Sequence, residues 1–147
     1  MKKETDEVYG DRTIYLISRI REKANRLLIR ELGCHNLAGI VPSHGDILVS
    51  LFLQPRLTMK GLAEKIDRDK STVTALVDKL VRLGYVEKKA DPGDNRITLV
   101  SLTAEGRSLK PVFLDISEKL QERVYRNLTR KEKAALVELL GKVNQGW

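Results

Sequence analysis

The chain has 147 residues, 41% of them apolar and 32% charged, with 27 basic against 20 acidic side chains and a formal net charge of +7. That suffices for one domain, 1–147, and excludes a membrane protein and a disordered one alike. A single cysteine excludes an internal disulfide framework, and Met1 to Gly10 carries charge but no apolar run of the kind a leader has, so a cytoplasmic location is expected.

From about Asp11 to Leu32, Ile14, Ile17, Ile20, Ala24, Leu27 and Leu28 recur at helical spacing, and Gly33 stands where a C′ residue would end the segment. The other side, with Arg19, Glu22, Lys23, Arg26 and Arg30, reads as solvent or subunit surface. Cys34 to Pro42 has no period. Ser43 is the expected cap of a second helix with Ile47, Leu48, Leu51 and Phe52 inward, ended by Gln54-Pro55. Cys34, His35 and His44 fall within eleven residues, which invites a metal. Adjacent Cys34 and His35 rarely ligate one ion together, and no other His or Cys completes a tetrahedral set, so no metal and no cofactor is expected. Cys34 stays open as a redox-active thiol or an intersubunit cross-link.

The stretch from Leu57 to Gly106 is the densest in structure. Thr58 can cap a short helix, MKGLAEKI, with Leu62, Ala63 and Ile66 inward, before the polar break Asp67, Arg68, Asp69. The next helix, STVTALVDKLVRLG, sets Val73, Leu76, Val77, Leu80 and Leu83 on one stripe. Its other face holds Ser71, Thr72, Ala75, Asp78, Lys79 and Arg82, and its cap is Asp69, with Ser71 as the alternative. Free N–H groups of that first turn would suit a phosphate. Gly84 is placed for a left-handed C-cap, and Tyr85 to Lys89 reads as a strand. Asp91-Pro92-Gly93-Asp94-Asn95 concentrates turn formers, with Gly93 free to take positive φ, and Ile97 to Leu102 supplies the return strand. The pattern is a helix-turn-helix with a wing. The segment 56–110 also carries 12 basic against 8 acidic residues, the largest local excess.

Past the wing, Thr103 caps a helix from Ala104 that Pro111 should kink or restart, and Val112, Phe113, Ile116, Leu120, Val124 and Leu128 continue an apolar line. Thr129 and Glu132 make a capping box for a last helix with Leu136, Leu139, Leu140 and Val143. The first and last stripes exceed what a 50-residue winged unit can cover, so they are expected to form an oligomer. There is no Gly-rich phosphate loop, catalytic triad pattern or carboxylate pair in an apolar setting, and no enzyme is expected.

The run DNRITLVSLTAEG, following a STVT-type helix and a LGYVEK strand, resembles the wing signature of the multiple-antibiotic-resistance regulator (MarR) family, and with the flanking helices the similarity covers nearly the whole chain. Family members often carry Arg where this chain has Ala75, and a second wing Arg where it has Asn95. The resemblance implies a mainly α, α+β fold, a winged helix-turn-helix at about 43–103 between dimerisation helices at about 11–33 and 104–145. It implies a homodimer that binds a pseudo-palindromic operator in double-stranded DNA, a repressor more than an activator, released by a small aromatic or phenolic effector. The expected DNA-binding residues are Arg68, Lys70, Ser71, Thr72, Thr74, Ala75, Lys79, Arg82, Asp94 and Arg96, with His44 and Phe113 lining the effector pocket. Two alternatives stay open: a redox- or metal-responsive regulator acting through Cys34, and a winged helix used only for protein contacts.

Overall fold

The computed structural model describes residues 8–147. Most of the charged N-terminal stretch, 1–7, lies outside the described residues. The elements run α1 (Thr13–Cys34), α2 (Pro42–Leu53), β1 (Arg56–Thr58), α3 (Met59–Ile66), α4 (Lys70–Arg82), β2 (Val86–Ala90), β3 (Thr98–Leu102), α5 (Ala104–Ser108), α6 (Lys110–Tyr125) and α7 (Arg130–Gln145). Three antiparallel strands in the order β1-β3-β2 make a small sheet, registered by Leu57 opposite Val100 and Val86 opposite Leu102. The chain is a winged helix-turn-helix carried on long helices.

The core forms where the helical stripes meet the sheet. Ile47, Leu48 and Leu51 of α2, Leu62 of α3, Val73, Val77 and Leu80 of α4, and Val100 of β3 are each fully buried. Burial of such side chains is worth roughly 1.5–3 kcal/mol apiece, so this cluster fixes α4 on its support. Phe52 and Phe113 meet edge to face, 5.7 Å between centroids, and join α2 to α6.

Several local expectations change. Leu83 is 44% exposed, because α4 stops at Arg82 and the stripe ends with it. Gly33 does not end α1. The helix runs on to Cys34, and Asn36 takes the left-handed conformation at φ 60°, letting the Leu37 amide donate to the Leu32 carbonyl at 2.8 Å. Ser43 is not the cap of α2. Pro42 occupies the first turn, where its missing N–H costs nothing, and the Val41 amide donates instead to Nδ1 of His44 at 3.0 Å. The caps Thr58, Asp69, Thr103 and Thr129 all stand as expected. Pro111 accompanies a break at Leu109 that separates α5 from α6.

The start of α1 and the whole of α7 leave apolar side chains on the surface of the single chain, whereas Leu28 and Leu32 at the end of α1 pack into the core. Ile14, Leu16 and Ile20 of α1 and Val137, Leu139 and Val143 of α7 are all roughly half exposed or more, and no residue of α7 is buried. No helix among the described residues is long and apolar enough to cross a membrane.

Candidate nucleic-acid interface

The interface begins with the way α4 starts. Asp69 Oδ1 accepts from the Thr72 amide at 2.7 Å and from the Ser71 hydroxyl at 2.8 Å. The Thr72 amide, chief among these donors, holds the Asp69 carboxyl below its ordinary 3.8. An ionised carboxylate therefore already sits on the positive end of the helix dipole, and the Thr72 N–H that the sequence leaves for a phosphate is taken. Cations for a phosphate stand beside it in Arg68 and Lys70, both exposed.

Ser71, Thr72 and Ala75 are exposed and Thr74 is half-buried, its hydroxyl donating to the Lys70 carbonyl at 2.8 Å. Arg82 is exposed at the far end. Lys79 belongs elsewhere. Its ammonium donates to the Gly39 carbonyl in the loop before α2, so this expected DNA contact instead pins α4 to its support.

The wing is tied to α4 by Lys88 of β2, whose ammonium donates to Asp78 Oδ1 at 2.6 Å. At the tip, Asp91 Oδ1 accepts from the amides of Gly93 at 2.7 Å and Asp94 at 3.2 Å, an Asx turn. Gly93 is not among the positive-φ glycines, since that turn bends the chain without it. Asp94 then accepts from the Arg96 backbone amide and from the Nε and Nη2 groups along one edge of its guanidinium, each at 3.0 Å. Its carboxyl is held low by Arg96 in return. The root of the wing closes through Thr103, whose hydroxyl donates to the Gly84 carbonyl at 2.5 Å and accepts from the Gly106 amide at 3.1 Å.

A groove of about 510 Å³ opens where α1, α2, α3 and α6 converge, lined by Leu28, Leu32, Phe113 and Ile116 together with Asp46 and Lys65. Phe113 lines this groove and His44 does not. His44 is 4% exposed and committed to the Val41 amide. Burial, then the Lys79 ammonium, hold its pKa below 6.5, so the ring stays neutral and its lone pair remains an acceptor. Nearby, Glu31, His35 and Asp115 offer ligand atoms within 4.8 Å of one another. The Lys119 ammonium already bridges the two carboxylates, at 2.8 Å from Glu31 and 3.1 Å from Asp115, so the group works as an ion-pair network between α1 and α6. Cys34 is exposed beside it.

The pattern that defines the MarR family matches residues 40–98, from the loop before α2 to the start of β3. The multiple antibiotic resistance protein MarR of Escherichia coli (strain K12) is 30% identical over 129 residues, 87% of this chain and 88% of that relative. The HTH-type transcriptional regulators YdgJ and YcgE of Bacillus subtilis (strain 168) are 29% and 34% identical over 71% and 58% of this chain; the matches span only 64% and 56% of their own lengths. Among solved structures, a cysteine-to-serine mutant of E. coli MarR complexed with operator DNA superposes with a TM-score of 0.82 at 29% identity, covering 94% of this chain and 96% of that one. The apo wild-type E. coli protein gives 0.72 at 30% identity over 89% and 96%. The winged helix, with its second helix open and its wing arginine braced, is the fold this chain shares with those two E. coli structures. The chain belongs to the MarR family.

Proposed function

We propose that the protein is a homodimeric, sequence-specific regulator that represses transcription by binding a pseudo-palindromic operator. The observation that carries this is the exposed, small and polar first half of α4, flanked by Arg68 and Lys70 and followed by a wing whose arginine is held outward by its own carboxylate. Ser71, Thr72, Thr74 and Ala75 would face base edges in the major groove, Arg68, Lys70 and Arg82 the phosphates, and Arg96 the adjacent minor groove. The E. coli relative's capture with operator DNA supports the same docking. A mobility shift across a salt series, on duplexes selected from a random pool, tests it: specific binding should weaken steeply as salt rises. A protein that enriches no sequence would sink the reading.

The dimer follows from the exposed apolar side chains of the first half of α1, Ile14, Ile17 and Ile20, and of α7, Leu139, Leu140 and Val143, which one chain leaves open. Two-fold symmetry then sets half-site centres about 10 bp apart. The winged unit and the dimer helices, all within the described residues, would act as one body. A small aromatic or phenolic effector fits the groove between α1, α2, α3 and α6, because Phe113 and the leucines offer an apolar bed while Asp46 and Lys65 offer polar handles. Such a ligand would release DNA by favouring the spacing of the two α4 helices that does not fit the operator.

A further inference from the structure

We infer that α4 selects its operator through thymine 5-methyl groups, using the side-chain methyls of Thr74 and Ala75. The inference deepens the DNA-binding reading and rests on it.

Residues 71, 74, 75 and 78 follow the i, i+3, i+4, i+7 spacing and form one row of neighbours on the open side of α4. The hydroxyl protons of that row are already donated and its carboxylate is paired. The Ser71 hydroxyl donates to Asp69 at 2.8 Å, the Thr74 hydroxyl to the Lys70 carbonyl at 2.8 Å, and the Asp78 carboxylate holds Lys88 at 2.6 Å. Lys79, next along the helix, is spent on Gly39. No donor is left at the centre of the row, where besides a hydroxyl oxygen there are only the methyl of half-buried Thr74 and the side chain of exposed Ala75. Beyond the Asp78–Lys88 pair and the Lys79 bond, charge stands at the two ends, with Arg68 and Lys70 on one side and Arg82 on the other.

A surface of that kind cannot recognise guanine by a forked donor pair, and it gives up little on meeting an apolar group. In the major groove one base alone presents such a group, thymine, through its C5 methyl. Two adjacent methyls on the protein therefore match one or two thymines at the centre of each half-site. The other bases would leave an apolar contact facing a polar edge.

The test uses the full chain and needs no variant to begin. Duplexes enriched from a random pool define the half-site, and each thymine in it is then replaced by deoxyuridine, which pairs identically and lacks only the methyl. One or two adjacent positions should lose affinity by about fourfold per methyl, and the remaining thymines should tolerate the change. Thr74→Ser, which keeps the hydroxyl and removes the methyl, should bind the thymine and uridine forms of one of those positions equally. Enriched operators whose uridine forms all bind like the parent overturn the inference and leave the DNA-binding reading standing. A pool from which nothing is enriched removes both.

Discussion

Arg96 and Asp94 are joined by two parallel hydrogen bonds of 3.0 Å, at a place where the arginine side chain is 90% exposed. An ion pair so open to water contributes little to folding. What it does is orient the guanidinium, whose remaining N–H groups stay free for a ligand. Replacing Arg96 by Ala should leave the melting temperature unchanged and weaken operator binding about tenfold. The log–log salt slope should flatten by about one unit per protomer. Titrations at several salt concentrations check this, and an unchanged slope refutes the wing contact.

Lys79 should behave in the opposite way, because its ammonium is bonded to the Gly39 carbonyl. Lys79→Met keeps the stem and loses the bond, which should cost about 1 kcal/mol of stability. The salt slope of operator binding should not move. Thermal melts beside the same titrations separate the two roles, and a flatter slope with an unaltered melt would return Lys79 to the DNA.

His44 gives a pH dependence whose sign can be worked out. Its folded pKa lies below 6.5 because the ring is buried beside Lys79, while in the unfolded chain it returns to that ordinary value. Between the two values the unfolded state binds the extra proton, so the stability His44 contributes is complete above about pH 6.5 and is lost as pH falls through the folded value. His44→Gln should melt lower than the wild type at pH 8, and the gap should narrow by pH 5. A constant gap would mean the ring does not titrate with unfolding.

Gly106 tests the closeness of α5 to the wing root. A Cβ built there would lie 2.0 Å from the Tyr85 carbonyl oxygen and 3.0 Å from its carbon, and backbone cannot swing aside as a side-chain tip can. Gly106→Ala should therefore destabilise by about 3 kcal/mol. By contrast Gly141→Ala, whose Cβ meets nothing within 4 Å, should be neutral or slightly stabilising. Denaturant melts of the pair decide it.

Features written in a few neighbouring residues were legible from sequence. The caps at Thr58, Asp69, Thr103 and Thr129, the left-handed Gly84 and the two-residue reach of Asp94 to Arg96 all depend on separations of three or less. What sequence hid was tertiary. Strand β1 is three residues with no alternation to betray it, and it exists because Leu57 pairs with Val100. Lys79 looked like any exposed basic residue on α4, and only the fold brings Gly39, 40 positions away, within its reach. The bond from the Val41 amide to His44 is just as local, but a capping box ordinarily places Glu or Gln at that third position, so a histidine there does not announce it. The bare stripes of α1 and α7 were visible as apolar, but a period of 3.6 says only that a face seeks cover, not which chain provides it.

The Thr103 joint has a consequence for anyone exchanging parts between regulators of this kind. One hydroxyl bonds the carbonyl of Gly84, at the exit of α4, and the amide of Gly106, in the first turn toward α6, while the Thr103 amide bonds Tyr85. Both distant partners are main-chain atoms, so the joint asks for a threonine and a glycine and is otherwise indifferent to sequence. A chimera that swaps α4 and the wing should place its downstream seam beyond Gly106. A seam between Thr103 and Gly106 keeps the joint only where one parent brings the threonine and the other the glycine.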